Sequence, residues 1–430
     1  MFPDFDVEIH QPGIVTDGIK VVTIRVLYFH QYFSTPSGAA DTRSYEMAQR
    51  LIARSHQVTM VCGSGKFAST GLTGESAKGM RRGMVEGNDV IELDLPYSNY
   101  DCFLKRSWVF MLFAWHSIGL ALSLPYDLLF STSTPLTAGI PGIVASLLRR
   151  KPFVFEVRDL WLELPREMGV ISIPAVLGSM SVLEWLSYHS AKGCIGLSPG
   201  IVKGIVRRGI SADKVEMVPN GCDLELFNPI VGDVLRPEGV QDEEFLAVFT
   251  GAHGMANGLD SALNAAKVLK EKGRKDIKLV FIGDGKLKPE LVARAEREVL
   301  VNCLFLDPVN KRKLTAYLRG ADAGLMLLAN VPAFYFGTSP NKFFDYIAIG
   351  LPVVNNYPGW LADMITQKYC GIAVDTESPE ALALALEKMA DNPELTKQMG
   401  VNARHFAERE FDRQKFGNRF VDFIERMAGK

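Results

Sequence analysis

The sequence lacks most of the features that would settle its class at a glance. Its six cysteines, Cys62, Cys102, Cys194, Cys222, Cys303 and Cys370, are scattered, and no close pair reads as a zinc site or a redox dithiol. That spacing suits a reducing compartment. Charge of one sign is also scarce, because 47 Lys and Arg face 49 Asp and Glu and leave a formal net charge of -2. A global basic field of the kind nucleic-acid binders use is therefore missing, and nucleic acid is disfavoured as a partner. Before its first Lys or Arg, Lys20, the N-terminus carries Asp4, Asp6 and Glu8, so it lacks the positively charged start of a signal peptide. A cytoplasmic protein is expected. The sole Asp-x-Asp, Asp4-Phe5-Asp6, precedes the first strand and is a poor place for a metal.

Long apolar runs are equally few. The one exception, Trp108 to Leu124, follows Lys105-Arg106, is interrupted by His116 and Ser117, and lies at the short limit for a membrane span. Two readings stay open: a helix buried in the core, or an interfacial helix whose Trp108 and Trp115 sit at a headgroup boundary beside basic residues. A true span fits least, since strand-like pattern resumes directly afterwards. Lys105, Arg106, Arg149, Arg150 and Lys151 would then face an anionic leaflet, although most surface cations merely solvate a fold.

What is present is a globular composition, 47% hydrophobic and 22% charged, over 430 residues. That length exceeds what one core usually serves and predicts two domains. Val21 to Phe29 reads as a buried parallel strand, followed by a small-residue turn, a helix near Asp41 to Ala53 and a second strand from Gln57 to Cys62. This opening is a Rossmann unit. Strand candidates continue at 90–93, 128–131, 153–157 and 194–197, and again at 245–249, 279–282, 303–306, 323–328, 352–355 and 372–374. The class is thus α/β, with an N-terminal extension over 1–20, Rossmann-like domains over 21–210 and 211–408, and a helix over 409–430 that crosses the domain junction. Ligands would bind in the cleft where the carboxyl ends of both sheets meet.

The most informative run is Ser339-Pro340-Asn341-Lys342-Phe343-Phe344-Asp345-Tyr346. Ser339 as N-cap and Pro340 at the first helical position would leave the N–H groups of Asn341 and Lys342 free for an anion. Lys342 adds a full charge, and Asp345 lies on the same helix face. A phosphate contact and a ribose contact would stand side by side; a surface ion pair on an ordinary helix is the bland alternative.

The segment from Phe343 to Val354, with Gly350-Leu351-Pro352, resembles the nucleotide-sugar signature of glycosyltransferase family 4, which has the GT-B fold. Lys214 to Asp223 resembles the hinge-side strand and turn of that family, and Phe281-Ile282-Gly283-Asp284-Gly285 its mid-domain turn. The resemblance implies two Rossmann-like domains facing a central cleft, a nucleoside diphosphate sugar donor with uridine as the default base, retention of anomeric configuration, and no cofactor or required metal. The family usually carries two glutamates separated by seven residues. Asp345 matches the second, which contacts ribose, and Gly337 stands where the first, a sugar contact, should be. In the loop Gly251 to Asp260, the family's Arg and Lys positions hold Ala252 and Asn257, so diphosphate binding would fall to backbone amides, His253, Gly254 and Lys342.

In the first domain, Gly38 would present a helix N-terminus to the cleft. Arg158-Asp159-Leu160-Trp161 follows a strand and resembles a bacterial subgroup that includes predicted L-fucosamine transferases. Charges at the end of a buried strand are costly unless function or pairing solvates them. Asp159 is the candidate to orient or deprotonate an acceptor hydroxyl, with Glu163 as its substitute and Arg158 beside them; a plain salt-bridge network is the competing reading. The acceptor expected is a lipid-linked saccharide or a lipid phosphate. An epimerase or hydrolase on the same fold, or a non-catalytic nucleotide-sugar scaffold, are the rival functions.

Overall fold

The computed structural model describes residues 22–429 apart from 39, 66, 67, 99 and 377. The extension 1–20 and its Asp4-Phe5-Asp6 lie outside the described residues.

Eight strands form the first sheet: β1 (Arg25–Phe29), β2 (Gln57–Gly65), β3 (Met80–Val85), β4 (Asn88–Tyr97), β5 (Leu128–Thr132), β6 (Phe153–Val157), β7 (Gly193–Gly196) and β8 (Val215–Met217). Their order is β3-β4-β2-β1-β5-β6-β7-β8. All pairs are parallel except β3 with β4. The second sheet is wholly parallel, in the order β11-β10-β9-β12-β13-β14. Its strands are β9 (Phe245–Thr250), β10 (Ile277–Ile282), β11 (Cys303–Leu306), β12 (Ala323–Met326), β13 (Val353–Asn355) and β14 (Gly371–Ala373). Continuous apolar runs make these strands because helices cover both faces; β5 and β6 are buried along their whole length.

The helices that cover the first sheet are α1 (Arg43–Ala53), α2 (Phe103–Ser123), α3 (Ile140–Arg149), α4 (Glu163–Glu167), α5 (Pro174–Ser190) and α6 (Pro199–Arg207). Around the second are α7 (Asp260–Glu271), α8 (Lys288–Arg297), α9 (Lys311–Arg319), α10 (Pro332–Gly337), α11 (Asn341–Ala348), α12 (Trp360–Gln367), α13 (Pro379–Ala390) and α14 (Pro393–Glu410). α15 (Arg413–Ala428) then returns to the first domain. There Phe420, Val421, Phe423 and Ile424 join Tyr28 and Phe130 in one core. Ion pairs from Arg54 to Asp422 and Glu425 tie α15 to α1. The chain's end therefore fastens the two domains together.

Three expectations change. The first sheet does not stop at residue 210, because Val215, Glu216 and Met217 pair with β7 and extend it. β3 is an antiparallel edge strand that the pattern did not announce; Glu86 and Gly87, both at positive φ, make the two-residue turn into β4. α2 is neither buried all round nor a span: one side packs on the sheet, the other is exposed, and among the described residues no helix is long and apolar enough to cross a membrane.

Candidate functional site

The loops that leave the carboxyl ends of the two sheets meet along a cleft. Tyr100, after β4, donates to Asp284, after β10, at 2.6 Å. Asn341, at the start of α11, donates through Nδ2 to Asp41, ahead of α1, at 2.8 Å. Ser198 donates to the Gly337 carbonyl at 3.0 Å, and the Ala333 N–H donates to Glu167 at 2.6 Å. Asn220 donates to the Ser339 carbonyl.

On the second domain, β9 ends at Thr250 and gives way to a loop with Gly251 at φ +131° and Gly258 at φ +54°. Glycine is required at Gly283, where a Cβ would fall 1.9 Å from the Gly251 carbonyl oxygen; the two strand ends pack backbone to backbone. Gly254 faces open space instead, with nothing within 4 Å of its Cβ position. Lys342 rises from α11 beside this loop. Its Nζ lies 3.9 Å from the centre of the Phe249 ring, donates to Asn257 Oδ1 at 2.9 Å, and has no carboxylate partner among the described residues. Burial pushes its ammonium down to about 7. A lysine with a lowered pKa and no acid beside it among the described residues, set against an aromatic face and an open glycine loop, is arranged to gain from an incoming anion.

α11 starts differently from expectation. Pro340, in extended conformation, holds the N-cap position, and the helix gains no side-chain cap. The Ser339 hydroxyl is buried without a partner, because the backbone turns its carbonyl to Asn220 across the cleft. The free N–H groups of the first turn remain. Asp345 is buried; Oδ2 accepts from Lys311 Nζ at 2.8 Å while Oδ1 has no partner. One oxygen is thus held, and the other is buried with its accepting capacity unused. His253 takes another place: its imidazole is fully buried among Phe249, Phe281 and Phe305, with neither ring nitrogen bonded, and burial drops its pKa to about 4. It is a core residue by environment, and only its backbone belongs to the loop.

On the first domain, Arg158 follows β6, and its backbone N–H donates to Ser133 Oγ at 2.9 Å. Its guanidinium binds Asp41 at 2.6 Å and lies 3.6 Å from Glu156. Fully buried Glu156 also receives Arg43 at 2.8 Å and Thr132 at 2.9 Å. Arg43 reaches on to the carbonyls of Val218 and Pro219 and to Asn220. Burial opposes the charge on Glu156 and on Asp41, yet the arginines hold both carboxyls below their ordinary range. This network runs unbroken to Ser339. Arg43, Asp41 and Glu156 were missed at sequence level: Arg43 looks like Arg50 on the same helix, and its partner is 113 residues away.

Asp159, one residue beyond Arg158, stands outside the network. It has no hydrogen bond or ion pair among the described residues, and burial raises its pKa against the pull of Arg158. Glu163 is the weaker substitute, since Arg207 binds it at 2.5 Å. Gly38 lies in a turn closed by its own N–H to Thr35, four residues ahead of the Thr42 cap, so it does not present the N-terminus of α1. Sequence reasoning also passed over His30, at the end of β1. Its ring is buried and unpartnered, and burial together with Arg158 lowers its pKa to about 3. Among the described residues no group of three His, Cys, Asp or Glu could hold a metal ion.

Comparison with known proteins gives both halves a family. Residues 38–221 match the family described as Glycosyl transferase 4-like domain, and residues 234–406 match Glycosyl transferases group 1. The chain is 25% identical to the D-inositol 3-phosphate glycosyltransferase of Pseudarthrobacter chlorophenolicus over 349 residues, 76% of this chain and 71% of that one. It spans about half the length of further curated relatives. In fold it is similar to sucrose-phosphate synthase from Thermosynechococcus elongatus, with a TM-score of 0.73 at 15% identity over 94% of this chain and 99% of that one. Anabaena HepE in complex with UDP-glucose is similar at a TM-score of 0.66 and 14% identity, over 94% and 100% of the two chains.

Proposed function

This chain belongs to the GT-B glycosyltransferases, and from that premise we propose that it transfers a sugar, with retention and without a required metal, from a UDP-sugar to a hydroxyl of a lipid-linked saccharide or lipid-phosphate acceptor. The supporting observation is Lys342, a partly buried cation with no acid partner among the described residues, beside the open loop at Gly254 and the first turn of α11. In the reaction the bond from the anomeric carbon to the diphosphate oxygen breaks, and negative charge grows on that oxygen. Lys342 and the free N–H groups meet this charge as it forms, which is where preorganised donors lower a barrier most. Asp345, whose buried Oδ1 is unpartnered, accepts from the ribose diol once the cleft opens to the donor. Asp159, unpaired and with a raised pKa, orients the acceptor hydroxyl and takes its proton as the new carbon–oxygen bond forms. Arg158 fixes the strand end from which Asp159 projects. The uridine base is supported by the UDP-glucose held in the similar Anabaena fold. The L-fucosamine subgroup rests on Arg158 to Trp161 alone.

A thermal-shift series with UDP, GDP, ADP and their sugars tests the donor site, since a ligand at a hundred times its Kd stabilises by about 2.7 kcal/mol. A selective response to UDP compounds is expected, and silence toward every nucleotide would remove the donor site. Free sugar released at full rate with no acceptor present would favour a hydrolase.

A further inference from the structure

The two faces of the first sheet are covered by very different helices. α1 and α15, on one face, carry mixed and paired charges. On the other, α3 lies between α2 and α5 and touches both. These three helices hold a single carboxylate, Glu184, which is buried against Arg208. Their outer surfaces are apolar. On α2, Leu104 is 78% exposed, Trp108 65% and Trp115 73%, with Met111 and Leu122 on the same stripe at helical spacing. Leu147 and Leu148 on α3, each 70% exposed, and Val182, Trp185 and Leu186 on α5 continue it. Three of the chain's five tryptophans thus stand on one solvent-facing surface. Exposed apolar area of this extent marks an interaction site.

Its borders say what it meets. Lys105 and Arg106 stand in the first turn of α2, Lys105 paired with Asp101 at 2.7 Å and Arg106 over the Tyr97 ring. At the other end Arg150, Lys151 and Lys192, none of them in an ion pair among the described residues, line a cavity of about 380 Å³ between the C-terminal ends of α3 and α5. Tryptophan bodies framed by cations, with no exposed acid on any of the three helices, match a bilayer boundary with anionic headgroups. All three helices begin at the cleft end of the sheet, so exposed Phe103 and Leu104 of α2, with Val170 and Ile173 ahead of α5, stand at the cleft end of this surface.

We infer that the α2–α3–α5 face lies flat on an anionic lipid leaflet and brings the mouth of the cleft to the membrane surface. This rests on the proposed lipid-borne acceptor for its purpose, although the surface itself is defined by its residues. A lipid-linked acceptor then enters from the edge formed by Leu104, Val170 and Ile173, past Asp159, while the sugar donor stays on the second domain.

The test is binding of the full chain to vesicles of phosphatidylglycerol and phosphatidylcholine, set against phosphatidylcholine alone, with brominated acyl chains to quench tryptophan. Binding to the anionic vesicles with quenching is expected. Trp108→Ser combined with Trp115→Ser should weaken it by about tenfold or more. Arg150→Ser with Lys151→Ser should weaken it by about thirtyfold, given the attraction of each cation to such a surface. The thermal response to UDP should be unchanged in both variants, which shows that they fold and separates this result from the donor reading. Absence of vesicle binding, or binding that ignores both double variants, would overturn the inference. A concentration-dependent dimer that the tryptophan variant dissolves would overturn it too, by giving the face to a second copy.

Discussion

Two sets of fully or partly buried cations approach the cleft from opposite sheets, and they are treated in opposite ways. Arg43 and Arg158 are paired with acids: between them they hold Glu156, Asp41 and three backbone or amide oxygens. Among the described residues Lys342 has only an amide oxygen and a phenyl ring, and burial lowers its pKa to about 7. A buried pair is expensive to break because the survivor is left charged and unpartnered, whereas a buried lone lysine already bears that cost. The arginines hold the fold and the domain contact; the lysine trades stability for a ligand.

The largest effect should come from the acid-paired side. Arg43→Leu strands Glu156 and should lower stability by about 3–5 kcal/mol in denaturant unfolding. A loss below about 1 kcal/mol would mean that Arg158 alone can hold Glu156. Next comes the lone cation: Lys342→Met should cut kcat/KM by about a hundredfold to a thousandfold. The same substitution should raise stability by about 1–2 kcal/mol, a figure discounted for the exposure the side chain retains. The sign follows from linkage. Between pH 7 and the ordinary lysine range the unfolded chain binds the extra proton, so the native chain gains stability as pH rises through that window, and the methionine variant should lose this slope.

Asp159→Asn should lower kcat by about a hundredfold with an unchanged thermal response to UDP, dividing acceptor chemistry from donor binding. If it left turnover intact, Glu163 would be the residue to remove next. The smallest effect belongs to Gly337→Ala: the nearest atom to its Cβ position is Ile201 Cγ1 at 3.8 Å and its φ is ordinary, so stability should move by less than about 1 kcal/mol. A larger loss would show that the short contact segment from Gly337 to Ser339 needs glycine for the domain approach itself.

Much of this was legible in the sequence. Strands such as β5, β6 and β9 announced themselves because burial on both faces demands unbroken apolar runs. Ser378, directly ahead of Pro379-Glu380, caps α13 by accepting a hydrogen bond from the Ala381 N–H, as local rules require. Lys342 was found through its run. The Ser339 cap failed because a cross-cleft contact with Asn220 overrode a local preference. His253 failed because nothing local tells an imidazole in a glycine loop from one turned into an aromatic core. A salt-bridge network around Arg158 was the competing reading and is present, but its distant partners Arg43 and Asp41 were invisible: they lie 113 residues from Glu156 and 117 from Arg158, and their charges look like surface charges until the sheet brings them together.

The measurement that bears most directly on the central claim is proton uptake on UDP binding, obtained calorimetrically in buffers of different ionisation enthalpy. With Lys342 near 7 in the free protein and recharged by the diphosphate, about 0.9 proton per UDP should be taken up at pH 8 and about 0.1 at pH 6. Lys342→Arg, charged throughout, should lack that pH-dependent uptake. Binding of UDP to the native chain with no uptake at pH 8, or with the same uptake in the arginine variant, would contradict a lone lysine waiting for phosphate.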